Sequence, residues 1–171
     1  MTILETERLR LRELTLEDAA FIFELVNDPA WLRYIGDRGV RTVEDARRYI
    51  LDGPRASYAQ HGFGLYLAEQ KENYTPLGIC GILKRATLAE VDIGFAFLPR
   101  FRALGYACEA AAATLGYAHE KFGLRRIVAI TSPNNERSIK LLEKLGFAFE
   151  RMLHLDENSP EVKLFVWTFA E

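Results

Sequence analysis

The 171-residue sequence has little cysteine, little histidine and no large excess of charge of either sign. Its two cysteines, Cys80 and Cys108, are too few and too far apart for a disulfide framework, so we expect reduced, buried thiols in a cytoplasmic protein. The three histidines lack the paired spacing of metal ligands, and we expect no metal site. The net charge of −2 provides no basic field for a nucleic acid or an anionic membrane.

Long apolar runs are also missing. No stretch is long enough to span a bilayer, and residues 1–7 contain no apolar signal segment. The sequence is instead rich in bulky core-forming residues: 49% of it is hydrophobic, and it contains eleven Phe, seven Tyr and two Trp. No repeat, linker or low-complexity tract divides it, so we expect one compact domain over residues 1–171.

Hydrophobic periodicity predicts a domain in which strands outnumber helices. Thr15 with Asp18 and Thr42 with Asp45 have the spacing of helix capping boxes, and Gly123 has the position of a helix C-cap. Adjacent strands mixed with βαβ units predict an α/β (α+β) fold with a mixed, mostly antiparallel, twisted sheet and about four flanking helices. The predicted strands are 7–14, 64–69, 77–83, 90–97, 125–131, 147–155 and 162–169, and the predicted helices are 15–26, 42 to about 53, 104–122 and 135–145.

The segment 97–107 joins a predicted strand to a predicted helix through a short basic loop. The first turn of a helix leaves backbone N–H groups unpaired and carries a partial positive charge, which favours a phosphate or pyrophosphate. Gly105, with the small residues Ala103 and Ala107, allows a ligand to approach the backbone, and Arg102 adds a charge that can pair with a phosphate. The loop lacks the Gly-Lys-Ser/Thr of a P-loop and the three glycines of a dinucleotide fingerprint.

The pattern Arg102-x-x-Gly105-x-Ala107 resembles the acyl-CoA pyrophosphate loop of the GNAT acetyltransferase superfamily. Residues 134–147 resemble the second signature of that superfamily, Asn-x-x-Ser/Ala followed by a helix that ends in Glu-Lys-Leu-Gly-Phe. Together these resemblances imply a single GNAT-like domain and an acyl-CoA-dependent N-acetyltransferase with acetyl-CoA as cosubstrate.

Further stretches resemble the RimJ/RimL-like branch, whose members acetylate protein N-termini and other amines. These are residues 6–12, Asp18 and residues 27–29 near the start, and Asp92-Ile93-Gly94-Phe95 followed by Pro99. The resemblance therefore covers nearly the whole chain. The cofactor-binding residues that it implies are Phe97, Arg102, Ala103, Leu104, Gly105, Tyr106, Ala107, Asn135 and Ser138.

The sequence departs from the family pattern at several of these positions. Ala103 stands where a glycine is common, which still admits a ligand if its backbone keeps an ordinary conformation. Leu104 replaces a usual basic residue and so removes one possible phosphate contact. Leu142 stands where many members have a tyrosine general acid, and Asp92 stands where the branch commonly has the longer glutamate.

Acetyl transfer to an amine requires that the ammonium group lose a proton. Asp92 and Glu90 lie two apart on one predicted strand, so they share a face and are candidate general bases, directly or through water. Surface carboxylates more often form ion pairs, and that reading stays open for both. Ser138 is the candidate proton donor to the departing CoA thiolate, and the alternative is a hydroxyl that only binds the cofactor.

Three functions remain open at this level. The leading one is direct acetyl transfer from acetyl-CoA to a primary amine in a ternary complex, without a covalent enzyme intermediate. The others are a non-catalytic acyl-CoA-binding or sensor domain and, more remotely, a scaffold for protein interaction. The acceptor could be a protein N-terminus, an amino acid, a polyamine or an aminoglycoside, and we expect a monomer or homodimer that binds neither nucleic acid nor membrane.

Overall fold

The chain forms eight strands and six α-helices within residues 1–170, the part that the computed structural model describes. The strands are β1 (Thr2–Glu5), β2 (Leu9–Arg12), β3 (Leu65–Gln70), β4 (Pro76–Leu83), β5 (Asp92–Phe97), β6 (Arg126–Thr131), β7 (Ala148–His154) and β8 (Glu161–Thr168). The helices are α1 (Ala19–Val26), α2 (Pro29–Tyr34), α3 (Val43–Ile50), α4 (Ala56–His61), α5 (Tyr106–Phe122) and α6 (Glu136–Lys144).

All eight strands belong to one sheet with the order β1-β2-β3-β4-β5-β6-β8-β7. Every neighbouring pair is antiparallel except β5 and β6, which are parallel. The predicted mixed, mostly antiparallel α/β fold is therefore confirmed. The sequence patterns missed β1, and they predicted about four helices because two of the six are only six residues long.

The sheet is covered on both faces, so its central strands are apolar on both sides. On one face, small α5 residues such as Ala111 and Ala118 pack against Ala68 and Cys80. On the other face, α1 and α3 pack against Leu67 and other strand residues whose side chains point away from α5. No helix within residues 1–170 is long and apolar enough to cross a membrane. Cys80 is a buried free thiol, as expected, but the free thiol Cys108 is only half-buried.

Short-range capping signals are confirmed. The Asp18 carboxylate accepts the Thr15 backbone N–H at 2.8 Å and completes a capping box at the 3-10 turn that leads into α1. The Thr42 hydroxyl accepts the Asp45 N–H at 3.0 Å at the start of α3. Gly123 ends α5 with a left-handed φ of 67°, which glycine adopts without steric cost.

The expectation that the second helix ends near Gly53-Pro54 is wrong. Residues Leu51–Arg55 form a π-helical stretch that connects α3 directly to α4, and the helix ends at Gly62, whose φ is 80°. Pro54 has no N–H and its ring would clash with the carbonyl four residues earlier in an α-helix. The wider π turn accommodates the proline, so the helix continues.

A buried carboxylate on β3 forms ion pairs with two arginines on the neighbouring strand β2. Glu69 on β3 is 2% exposed and accepts hydrogen bonds from the guanidinium groups of Arg10 and Arg12 on β2. Arg10 lies directly opposite Glu69 in the strand register. Arg12 also donates to Asp18 at 2.8 and 2.9 Å, which ties the sheet to the start of α1.

We expect Glu69→Gln to lower the free energy of unfolding by about 3 kcal/mol, because it leaves the partly buried Arg10 guanidinium without a carboxylate and removes one of the two carboxylates that Arg12 binds. Urea unfolding would measure the change. The matched control is Glu72→Gln, at an exposed position of the β3–β4 hairpin. Equal losses in the two variants would contradict a stabilising role for the Glu69 pairings.

Candidate active site

The two parallel strands diverge at the centre of the sheet. β5 pairs with β4 along its whole length, from Asp92 opposite Leu83 to Phe97 opposite Gly78. Against β6, in contrast, its only register pair is Asp92 opposite Val128. Past this single pair the β5 backbone groups that face β6 have no strand partner, and apart from the Phe97 carbonyl, which accepts a hydrogen bond from Arg102, they are available to a ligand.

A groove of about 710 Å³ lies at the far end of β5, where the loop after the strand leads into α5. The first helical hydrogen bond of α5 runs from the Glu109 N–H to the Gly105 carbonyl at 3.0 Å. The N–H groups of Tyr106, Ala107 and Cys108 precede it and have no partner within the helix, so they are available to an anionic group. All three residues line the groove.

The loop itself has an unusual backbone. Gly105 has a φ of 86°, and Ala103 has a φ of 61°, so the alanine does not keep an ordinary conformation. A left-handed conformation costs an alanine about 1–2 kcal/mol, a cost that a glycine at this position would avoid. The Arg8 guanidinium holds the loop by donating to the Leu104 carbonyl at 3.0 Å and by lying 4.3 Å from the centre of the Tyr106 ring.

Arg102 is already paired within the protein. Its Nη2 donates to the Asp28 carboxylate at 2.9 Å, and its Nε donates to the Phe97 carbonyl at 3.1 Å. Asp28 also accepts the Ala30 N–H as the N-cap of α2. The charge expected to meet a phosphate is thus neutralised, and Arg102 instead fixes the loop to α2.

Three other basic side chains line the groove, and the sequence reasoning did not identify them. Arg137, Lys140 and Lys144 lie on α6 at spacings of three and four residues, which place them on one helix face. None of them has an ion-pair partner within residues 1–170. That spacing is the signal that could have predicted them. Asn135 caps this helix, since its side-chain oxygen accepts the Ser138 N–H at 3.2 Å.

A second cavity, of about 420 Å³, lies on the α3–α4 side of the divergence, and Asp92 lines it. The Asp92 side chain is fully buried, and its two oxygens accept hydrogen bonds from Arg85 Nε at 3.1 and 3.2 Å. Burial raises the pKa of this carboxyl to about 6, against the opposing effect of the Arg85 charge. Asp92 is therefore a carboxylate at neutral pH and a stronger base than an exposed aspartate.

Glu90 lies elsewhere. β5 begins at Asp92, so the expectation that Glu90 shares its strand is wrong. The Glu90 carboxylate pairs with Arg126 on the surface, where Arg126 also bonds Glu150, and Glu90 lines neither cavity. The Arg126 guanidinium therefore forms ion pairs with two surface carboxylates, those of Glu90 and Glu150.

The two cavities meet at a junction, which we define by the residues that line both. Ser138 is one of them, and it lies within the first turn of α6. Trp31 is another, and its buried indole N–H is the one buried side-chain donor without a partner in the described part of the chain. Leu142 is buried in the wall of the second cavity. The junction residues are Trp31, Tyr34, Ile35, Phe95, Ala96, Asn135 and Ser138.

The two cavities thus join beside an open strand, and one of them reaches a helix N-terminus and three basic side chains, which suit an anionic ligand. The chain belongs to the acetyltransferase (GNAT) domain family, whose model matches residues 8–148. Members of this family use acetyl-CoA as the acetyl donor.

The chain is also similar to individual proteins and solved structures. The chain is 32% identical over 155 residues to the uncharacterised Bacillus subtilis protein YkkB, covering 89% of this chain and 88% of YkkB. An acetyltransferase of the GNAT family from Bacillus anthracis superposes with a TM-score of 0.80 at 27% identity, covering 98% of each chain. RimL, a ribosomal L7/L12 alpha-N-protein acetyltransferase solved with coenzyme A, superposes with a TM-score of 0.82 at 18% identity, covering 98% of each chain.

Two glycine-to-alanine substitutions in one segment should have opposite effects. At Gly105, a Cβ would lie 3.1 Å from Arg8 Nη2 and φ is positive, so we expect Gly105→Ala to lower the free energy of unfolding by about 1–2 kcal/mol. At Gly116, a Cβ meets nothing within 4 Å, so Gly116→Ala should raise it by about 0.5–1 kcal/mol.

Urea unfolding would measure both changes. Thermal melting with and without acetyl-CoA would add a second readout, because a bound ligand stabilises the folded state. We expect a smaller acetyl-CoA-dependent rise in Tm for Gly105→Ala than for Gly116→Ala. Equal rises would place the cosubstrate away from the start of α5.

Proposed function

We propose that the chain transfers the acetyl group of acetyl-CoA to a primary amine by direct attack in a ternary complex. The observation that carries this proposal is the junction of the two cavities. The groove at α5 supplies unpaired N–H groups and basic side chains, and the second cavity supplies a buried carboxylate. A thioester at the junction would lie between them, so the two substrates can meet without a covalent enzyme intermediate.

The residues around the groove fit acetyl-CoA. The pyrophosphate suits the N–H groups of Tyr106, Ala107 and Cys108, and the basic face of α6 suits its further phosphate. When bound, the cosubstrate supplies an electrophilic thioester carbonyl. An unpaired backbone N–H group of β5 near residues 95–97 suits the oxygen of that carbonyl, where negative charge develops. An acceptor oxygen at the junction would also satisfy the orphaned indole N–H of Trp31.

Asp92 is our candidate for the general base. Its carboxylate has no exposed surface, so the amine proton would reach it through a water molecule or another polar group rather than by direct contact. Ser138 is the candidate proton donor to the leaving thiolate, because its hydroxyl has no hydrogen-bond partner within residues 1–170 and the residue lines both cavities. Leu142 leaves no tyrosine hydroxyl for that role.

The acceptor is a primary amine in this proposal. The likeness to RimL supports membership of the RimJ/RimL-like branch and makes a protein N-terminus one candidate, while the volume of the second cavity, about 420 Å³, favours a small molecule or the very end of a peptide. A non-catalytic acyl-CoA-binding domain is the competing function, because the Arg85 pairing occupies the Asp92 carboxylate. The two functions differ in whether Asp92 affects turnover.

We expect Asp92→Asn to lower kcat/KM for amine acetylation by about a hundredfold or more, the usual contribution of a general base. In the unmodified protein, kcat/KM should rise with pH through about 6, where Asp92 loses its proton, and this limb should be absent in the variant. Release of CoA thiol with a panel of primary amines measures both. Glu90→Gln is the comparison, and we expect little change since Glu90 lies outside both cavities.

Unchanged turnover in Asp92→Asn would assign proton removal to water alone. Binding of acetyl-CoA without thiol release for any amine would favour the non-catalytic domain.

For Ser138→Ala we expect a lower kcat with little change in the KM for acetyl-CoA, because a proton donor acts on the departing thiolate and not on ground-state binding. The loss should shrink for acyl donors whose thiol has a lower pKa, since such leaving groups need less protonation. A raised KM with unchanged kcat would instead assign the hydroxyl to cosubstrate binding.

A further inference from the structure

The charges around the second cavity, which we call the acceptor cavity, are unevenly matched. Arg38, Lys84 and Arg85 line it, while the only carboxylates among its lining residues are Asp52 and Asp92. Asp92 is paired with Arg85. An ammonium substrate entering this cavity therefore meets more unbalanced positive charge than negative charge.

Most of the N–H donors of the Arg85 guanidinium are unpaired within residues 1–170. Only its Nε bonds to Asp92, and neither terminal nitrogen has a hydrogen-bond partner within residues 1–170. A guanidinium carries five N–H donors, so most of its binding capacity remains free. Lys84, in contrast, is directed back to its own loop, where its ammonium donates to the carbonyls of Arg85 and Leu88.

Arg38 lies in the loop between α2 and α3, at the exposed side of the acceptor cavity. No hydrogen bond or ion pair involves its side chain within residues 1–170. Tyr49 and Arg85 line the same cavity. Burial raises the pKa of the Tyr49 phenol, and the charges of Arg38 and Arg85 both lower it.

We propose that the acceptor is an amine that also carries an anionic group, which Arg38 and the free end of Arg85 bind while the amine lies toward Asp92. This inference rests on the proposed function and specifies its substrate class. Planar guanidinium groups suit carboxylate and phosphate oxygens. Polycationic amines, such as polyamines and aminoglycosides, would place further positive charge against the same arginines and are disfavoured.

The size of the acceptor cavity agrees with this substrate class. Its volume of about 420 Å³ lies in the range of small-molecule sites. Its wall combines apolar residues from the sheet, such as Leu65 and Ile79, with the charged residues at the rim. A compact molecule with an apolar body and one anionic end therefore matches it better than an extended polar one.

The test uses pairs of amines that differ only in the anionic group. Suitable pairs are 2-phenylethylamine with L-phenylalanine, histamine with L-histidine, and ethanolamine with O-phosphoethanolamine, and spermidine represents the polycations. With acetyl-CoA present, we expect the anionic member to react with a kcat/KM about tenfold or more higher, the size expected of a charge-assisted hydrogen bond. The phosphate pair shows whether carboxylate or phosphate is preferred.

Arg38→Gln should reduce this preference several-fold, whereas Arg48→Gln, which removes a charge from an exposed α3 position outside both cavities, should preserve it. A preference for spermidine, equal rates within the pairs, or a preference unaffected by Arg38→Gln would overturn the inference. Such a result would leave the proposed function intact, because CoA release would still have been observed.

Binding provides a readout that does not depend on turnover. Thermal melting with each amine and CoA should give a larger rise in Tm for the anionic member, and Arg38→Gln should remove the difference. If no amine is acetylated but this difference is present, the proposed function fails while the inference about the ligand stands. If neither assay distinguishes the members of a pair, the inference is wrong.

Discussion

The divergence of β5 from β6 beyond Asp92 is the constraint on which the rest of the site depends. A parallel pair that stayed joined would consume the backbone groups of both strands and close the sheet. Because the strands separate after a single register pair, two cavities form at the opening and meet beside β5. The same six-residue strand carries the buried Asp92 at its first position and leads into the loop before α5 at its last. One short strand thus sets the positions of the buried Asp92 carboxylate and of the start of α5 relative to each other.

Most of what the sequence predicts correctly depends on residues within four positions of one another. Capping at Thr15, Thr42 and Asn135, and termination at Gly123, are decided by local hydrogen bonds and by the backbone conformations open to each residue. Periodicity likewise predicts the strands and the start of α5. The continuation of the helix through Pro54 escaped prediction because a π turn depends on the packing of the whole helix rather than on a local signal.

The site was harder to predict because its charges are paired across long sequence distances. Arg102 meets Asp28 from 74 residues away, and Glu90 meets Arg126 from 36 residues away. Sequence spacing offers no means of predicting either pairing. The positions of Asp92 and of the loop around Gly105 were easier to predict, because they follow from the strand itself and from the backbone freedom of glycine, whereas the functional roles of all four residues stay predictions.

In the proposed reaction, the Arg85–Asp92 pair would link the strength of the base to the charge of the substrate. Full burial without a cation would keep this carboxyl protonated at neutral pH, and full exposure would make it a weak base. The charge of the Arg85 guanidinium and the hydrogen bonds from its Nε oppose the effect of burial, and the pKa is about 6. An anion bound at the other end of the same guanidinium would offset part of its charge and so raise the pKa of Asp92. The carboxylate would then become a stronger base when an anionic acceptor is in place, which joins recognition of the substrate to removal of its proton.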